Sequence, residues 1–303
     1  MGSSSTLALD PALLARIADL ELAARLIVEG TRLGAHRSPF TGSGAEFQQM
    51  RPYLPGDDLK HLDWKHYART DRLFTRVYRE TTEWPVMLAV DASRSMTLST
   101  TSGVTKLRVG ALLAAALAYL LVQQGEAVGL VAHADQPRLQ LPPRTGRPHL
   151  VRLLGQLDRL EPGGGTALGR GIRTAATRLG RRGFVAVVSD LFGDDEDTAS
   201  AVREVRRMGH EVVLFHVLAP EERTLPTGGD VAFEDLETGE RLVTSVPAIR
   251  EAYAGRLAAF IAQWQAFAAS EGVTFVEAHT DRPLDAVLRA FSQQRAALAG
   301  GAR

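Results

Sequence analysis

Three short stretches carry side chains able to hold a hard cation. In VMLAVDASRSM, residues 86–96, an apolar run ends in Asp91, and Ser93 and Ser95 follow at alternate positions. PGGGTALG, residues 162–169, sets Thr166 behind three glycines. FVAVVSDLFGDD, residues 184–195, holds a second apolar run, which ends in Asp190. Carboxylates and hydroxyls are hard oxygen donors. That set suits Mg²⁺, which takes six oxygens at about 2.1 Å and keeps some of its waters. One Asp-x-Ser-x-Ser is ordinary turn chemistry, and its serines can equally cap the helix that follows. Two further oxygen-bearing loops, placed after comparable segments, raise its weight.

Those loops need elements that aim them at one point. A run of about 4–8 apolar residues between polar turns reads as a strand buried on both faces. The stretch from Lys106 to Gln124 is mostly Leu, Ala and Val, with the length of a buried helix. Strand, polar loop, helix is half of a βαβ unit, and ligands of open α/β sheets sit in the loops after the strands. Downstream the rhythm repeats: strand 126–135, a short edge strand 138–141, helices 149–160 and 167–179, strand 184–191, helix 197–208 and strand 211–218. Helix 249–270, strand 273–279 and helix 283–298 close the chain. The expected fold class is α/β, a doubly wound, mostly parallel central sheet flanked by helices. A small β-containing elaboration comes from the N-terminal region and the 220–247 insertion. That insertion, with extended runs on either side of Thr238-Gly239, reads as a hairpin, expected to pair with LFTRVYRE at 73–80. The expected organisation is a flexible tail at 1–9, an N-terminal helix and irregular region over 10–84, and the α/β domain over 85–299. The helix spans Asp10 to about Gly34, with an Asp N-cap and Pro in its first turn. Its apolar Leu13, Leu14, Ile17, Leu20, Leu22 and Leu26 form a face that packing must cover.

The order Asp-x-Ser-x-Ser, Thr, Asp resembles the metal-ion-dependent adhesion site of von Willebrand factor A domains, and all five positions match. Upstream, Gly42-Ser43-Gly44 with Glu46-Phe47, Arg51-Pro52-Tyr53, Pro55-Gly56-Asp57-Asp58, Asp63-Trp64 and Ala68-Arg69 resemble the signature of the DUF58 family. Members of that family carry a von Willebrand A-like domain just downstream. Lys60 stands where an Arg is usual, and Leu62 where Ile is frequent. The resemblance implies a metal held by Asp91, Ser93, Ser95, Thr166 and Asp190. The implied metal is Mg²⁺, with Mn²⁺ or Ca²⁺ able to use the same donors. In that family hydroxyls mostly touch the metal, some carboxylates act through water, and a partner's Asp or Glu takes the sixth position. DUF58 proteins are typically encoded beside MoxR-type AAA+ ATPases. The implied role is a non-catalytic adaptor or co-chaperone of such an ATPase.

Composition narrows the alternatives. With 303 residues, 45% hydrophobic and 23% charged, the chain can build one large α/β domain and a smaller elaboration. Its net charge of zero gives no overall case for nucleic acid or an anionic membrane. The absence of cysteine excludes disulfides, iron–sulfur clusters and thiolate zinc sites, and fits a reducing compartment. No membrane span is expected, since the most apolar stretch, 107–122, is short of about 20 residues. The start lacks the pattern of a signal peptide, so a cytoplasmic location is expected. The glycine run at 163–165 is no phosphate loop, because no Gly-Lys-Ser/Thr follows. Nor do the eight histidines show a zinc spacing. Asp57, Asp58 and Asp63 with Arg51, Arg69 and Arg72 read as a hydrogen-bonded ion network. Residues 65–79 hold five Lys/Arg against Asp71, with Tyr67, Phe74 and Tyr78 among them. A solvated or internally paired face accounts for that pattern better than nucleic acid does. The enzymatic alternative is a Mg²⁺-dependent phosphohydrolase with Asp91 as nucleophile and Asp190, Asp194 and Asp195 on the metal. Against it, the leaving group needs an acid two residues after the nucleophile, where Ser93 stands, and no lysine appears in a matching loop.

Overall fold

The computed structural model describes Leu14 and residues 19–32, 45–53, 62–80, 84–100, 103–180, 182–225, 228–236 and 239–301. Expectations for the 1–9 tail, the Asp10 cap, Gly42-Ser43-Gly44 and Pro55-Gly56-Asp57-Asp58 lie outside these residues. The chain folds as two units, Met1–Pro39 with Pro85–Arg303, and Phe40–Trp84.

In the larger unit the first helix is α1 (Leu20–Arg32). At its start stands Asp19, whose Oδ1 accepts from the amides of Glu21 and Leu22 at 2.9 and 3.2 Å. Burial recurs at Leu20, Ala23, Ala24, Ile27, Val28 and Thr31, the 3.6-residue stripe of a helix with one covered face. Leu22, expected on that face, is exposed.

The smaller unit pairs β1 (Ala45–Pro52) with β2 (Phe74–Glu80), antiparallel and with a register shift between Phe47 and Gln49. Between them runs α2 (Trp64–Thr70), capped by Asp63, whose Oδ1 accepts from the His66 amide at 3.0 Å. Among the described residues, 73–80 does not pair with the downstream hairpin as expected. Residues 45–52, which read from sequence as irregular, supply the partner instead.

The α/β unit continues with β3 (Val86–Asp91), α3 (Lys106–Gln123), β4 (Val128–His133), β5 (Pro137–Arg144), α4 (Arg147–Asp158) and α5 (Leu168–Ala176). Then come β6 (Phe184–Ser189), α6 (Asp195–Arg207), β7 (Glu211–Leu218), α7 (Pro220–Arg223), β8 (Asp230–Glu234) and β9 (Arg241–Ser245). Helix α8 (Val246–Glu271), β10 (Thr274–His279) and α9 (Leu284–Gly301) end it. The six-stranded sheet has the order β10-β7-β6-β3-β4-β5, parallel except for the β4–β5 pair. Helices cover both faces. Met87, Ala89, Val185 and Val187 pack with Leu168 and Ile172 of α5, Val202 and Val205 of α6 and Trp264 of α8. On the other side Phe184 and Phe215 meet Phe291 of α9, with ring centroids 6.1 and 5.4 Å apart. The expected doubly wound, mostly parallel sheet is what forms, and β8 and β9 make the hairpin expected around Thr238-Gly239.

Helix α3 has the length and mean hydropathy, 1.5, to cross a membrane, yet 78% of it is buried in the domain. It packs on the sheet and on α1. Its burial is that of a core helix.

Candidate metal site

From the central strand β3 the chain winds outward in one direction through β4 and β5. It then returns to the other side of β3 and winds outward through β6, β7 and β10. A reversal of this kind opens a crevice at the carboxyl ends of the two central strands. Asp91 ends β3, and Asp190 directly follows β6. Both carboxylates are fully buried.

The hydrogen bonds fix the first loop closely. Asp91 Oδ1 accepts from the Ser93 amide at 2.9 Å, and Oδ2 accepts from the Ser189 hydroxyl at 2.6 Å. The Ser189 oxygen in turn accepts from the Leu191 amide at 2.9 Å. Ser93 Oγ and Ser95 Oγ stand 2.9 Å apart. Adjacent oxygens around a six-coordinate cation with bonds of about 2.1 Å are about 3.0 Å apart, so the pair has the spacing of two neighbouring ligands. Helix capping does not account for these serines. Ser93 makes no side-chain cap bond to the short turn Arg94–Thr97, and the cap of α3 is Thr105, which accepts from the Arg108 amide at 3.1 Å.

The second loop is tied to the first by backbone. Gly163 N donates to Ala92 O at 2.9 Å, and Arg94 N donates to Gly164 O at 3.1 Å. The third loop meets the second at Gly193, where a Cβ would lie 3.2 Å from Thr166 Cγ2. The φ of +139° at Gly193 is one that residues with side chains rarely adopt. The structure thus gathers the three loops that carry Asp91, Ser93, Ser95, Thr166 and Asp190.

Two residues of the site, Lys106 and Glu222, were not legible in sequence. Lys106, the first residue of α3 and 1% exposed, places Nζ 2.6 Å from Asp190 Oδ2 and 2.5 Å from Glu222 Oε1. Burial disfavours its charge, but Asp190 and Glu222 outweigh that and hold the ammonium above its ordinary value. No lysine was expected from a matching loop, and Lys106 arrives instead from a helix start. Its only sequence signal is a charge opening an apolar run. Asp190 Oδ1 accepts from the Phe192 amide at 3.2 Å. Among the described residues Asp91 has no such counter-cation. Burial, followed by the charge of Asp190, pushes it up to about 7 against the hydrogen bonds from Ser189 and Ser93.

These residues fit a divalent cation. Asp190 and Glu222 share one ammonium, Asp91 stands without one among the described residues, and the Ser93 and Ser95 hydroxyls stand at ligand spacing beside Asp91. Among the described residues no three His, Cys, Asp or Glu side chains gather, so hydroxyls must share in holding any cation here. Asp194 and Asp195 serve elsewhere. Asp194 caps α6 by accepting from the Asp197 amide at 2.9 Å, and Asp195 lines a separate pocket with Arg203, Trp264 and Phe267.

Residues 49–260 match the family described as Protein of unknown function DUF58. The chain belongs to the DUF58 family. Uncharacterized proteins of Mycobacterium tuberculosis and Mycobacterium bovis are each 30% identical to it over 299 residues, covering 96% of this chain and 93% of theirs. Among solved structures, the conserved hypothetical protein BatB from Bacteroides thetaiotaomicron aligns with a TM-score of 0.47 at 22% identity, over 71% of this chain and 98% of its own. The VWA domain of SpRpn10 aligns with a TM-score of 0.43 at 13% identity, over 68% and 94%.

Proposed function

We propose that this DUF58 protein is a non-catalytic, metal-dependent interaction module, an adaptor or co-chaperone of a MoxR-type AAA+ ATPase working in the cytoplasm. Ser93, Ser95 and Thr166 would hold Mg²⁺, with Asp91 and Asp190 as its carboxylates. When bound, the cation supplies an electron-poor position for an Asp or Glu of the partner. The observation that carries the reading is the Ser93–Ser95 hydroxyl pair at 2.9 Å beside Asp91, a buried carboxylate without a cation of its own. The protein's part is to keep the donors dry and pre-arranged. Lys106 neutralises Asp190, which leaves the site's charge low enough for an incoming carboxylate to be attracted.

The test is co-purification with a MoxR-type AAA+ ATPase, in Mg²⁺ and in chelator. Retention in Mg²⁺ and loss in chelator or with Ser95→Ala is expected, at a cost of about 2–5 kcal/mol for a lost desolvated charge contact. Equal retention in chelator rules the mechanism out.

Lys106 is the one observation that favours the second reading, a phosphohydrolase, because an ammonium beside Asp190 can bind a phosphoryl group. It is held between Asp190 and Glu222, however, and Ser93 stands where the general acid is needed. No Asp91-dependent hydrolysis of a generic phosphate ester is expected.

A further inference from the structure

Two glycines of the loop that carries Thr166 have charged side chains lying where their own would stand. A Cβ at Gly163 would lie 2.8 Å from Arg138 Nη2, and one at Gly164 would run into the Asp135 carboxylate. Glycine permits that close approach. Two more arginines join the same loop. Arg94, between Ser93 and Ser95, donates its amide to Gly164 O at 3.1 Å, and Arg170 Nη1 donates to the Asp135 carbonyl at 3.2 Å. Gly163 N in turn is bonded to Ala92 O, between Asp91 and Ser93, at 2.9 Å. Arg94, Arg138 and Arg170 are all exposed, and they stand around the loop that borders the oxygen donors. Elsewhere in the unit arginines are matched: Arg108 with Asp158, Arg147 with Glu21, Arg203 with Glu271 and Arg223 with Asp281, at 2.8 to 3.2 Å. Among the described residues these three have no carboxylate partner. Asp135, the acid in their midst, turns Oδ1 to the Gln136 amide at 3.0 Å. On the β6 side of the crevice the charge is reversed, with Asp194, Asp195 and Glu196 at the start of α6.

We infer that Arg94, Arg138 and Arg170 form a basic rim that reads the residues beside the partner's metal-binding acid. The partner is an acidic segment, in which the Asp or Glu on the cation is accompanied by further acids lying over the rim. This inference rests on the metal reading above. A single carboxylate satisfies the cation whatever flanks it, so discrimination between partners falls to the rim. Arginine suits that task, because its planar fork meets a carboxylate through two parallel N–H bonds. The acids at the start of α6 repel the same segment, which keeps its charges on the arginine side. Exposed contacts of this kind are individually weak, about a factor of two each, and act mainly on the association rate and its salt dependence.

The test uses the full chain and two labelled peptides in a Gly-Ser background, one with a single Glu and one with a run of consecutive Glu. Affinity is read by fluorescence anisotropy in Mg²⁺ and in chelator, and circular dichroism checks that each variant is folded. At about 50 mM salt, the triple variant Arg94→Gln, Arg138→Gln, Arg170→Gln should bind the Glu-run peptide about tenfold more weakly than wild type, three contacts of about a factor of two each. Its Mg²⁺-dependent affinity for the single-Glu peptide should change less than about twofold. The loss should shrink at about 500 mM salt, where exposed charges are screened. Arg207→Gln, about 18 Å away at the other end of α6, should match wild type with both peptides. No loss in the triple variant, or an equal loss for both peptides, overturns the rim and leaves the metal site standing. Wild-type binding of the Glu-run peptide that chelator does not change, or no binding of either peptide, overturns both. A deoxythymidine oligomer bound as tightly as the Glu-run peptide, in chelator and through the same arginines, makes the rim a nucleic-acid surface and overturns the inference.

Discussion

Replacing Asp91 with Asn separates a metal site from a structural anchor, because the two roles give opposite signs without metal. A carboxylate that ionises near 3.8 when exposed is pushed to about 7 here. At neutral pH, ionising it inside the fold costs about 4 kcal/mol, at about 1.4 kcal/mol per pH unit. The direction follows from proton uptake. Between 3.8 and 7 the folded chain keeps a proton that the unfolded chain has lost, so metal-free stability falls as pH rises through that window. Asn carries no such penalty. It does deprive the Ser189 hydroxyl of its charged acceptor, a loss of about 1–2 kcal/mol. In chelator near neutral pH, Asp91→Asn is therefore more stable than wild type by about 2 kcal/mol. The gain disappears near pH 4, where wild-type Asp91 is already protonated. Urea unfolding measures both values. Millimolar Mg²⁺ then reverses the ranking, since it stabilises wild type by binding the folded state alone and leaves the variant unmoved. A variant less stable than wild type in neutral chelator refutes the reasoning, as does equal stabilisation of both proteins by Mg²⁺.

Two further perturbations bear on the same crevice. Lys106→Met leaves Asp190 and Glu222 buried without their shared cation, and should cost about 3–5 kcal/mol in chelator. Mg²⁺ should restore more stability to this variant than it adds to wild type, read as the shift in unfolding midpoint. His133 is fully buried, with no hydrogen-bond partner at either ring nitrogen, and burial pushes it down to about 4 from 6.5. From pH 6.5 down to about 4 the unfolded chain takes up a proton that the folded ring refuses, so stability falls with acid by up to about 3 kcal/mol. His133→Leu should flatten that acid limb, measured as urea midpoint against pH.

The sheet was legible because its central strands obey one rule. Val86–Asp91 and Phe184–Ser189 are short apolar runs, and every residue in them is buried. The polar residues that punctuate those runs are the ones that reach the crevice, so the donor order Asp91, Ser93, Ser95, Thr166, Asp190 could be read before the loops were seen to meet. Ala45–Pro52 escaped notice because AEFQQMRP has neither an apolar run nor a clean alternation, and it is a strand by virtue of its partner at 74–80. Lys106 escaped for a related reason: a lysine at a helix start is ordinary until the helix axis aims it at Asp190, 84 residues away. That one placement changes how the motif works. The sequence pattern treats its two aspartates as equivalent, but Asp190 meets an ammonium at 2.6 Å, while Asp91 has only amide and hydroxyl donors. A cation entering the crevice therefore relieves Asp91 far more than Asp190. Metal affinity should follow the ionisation of Asp91, while Asp190, through Lys106, is tied to Glu222 in the short helix that follows β7.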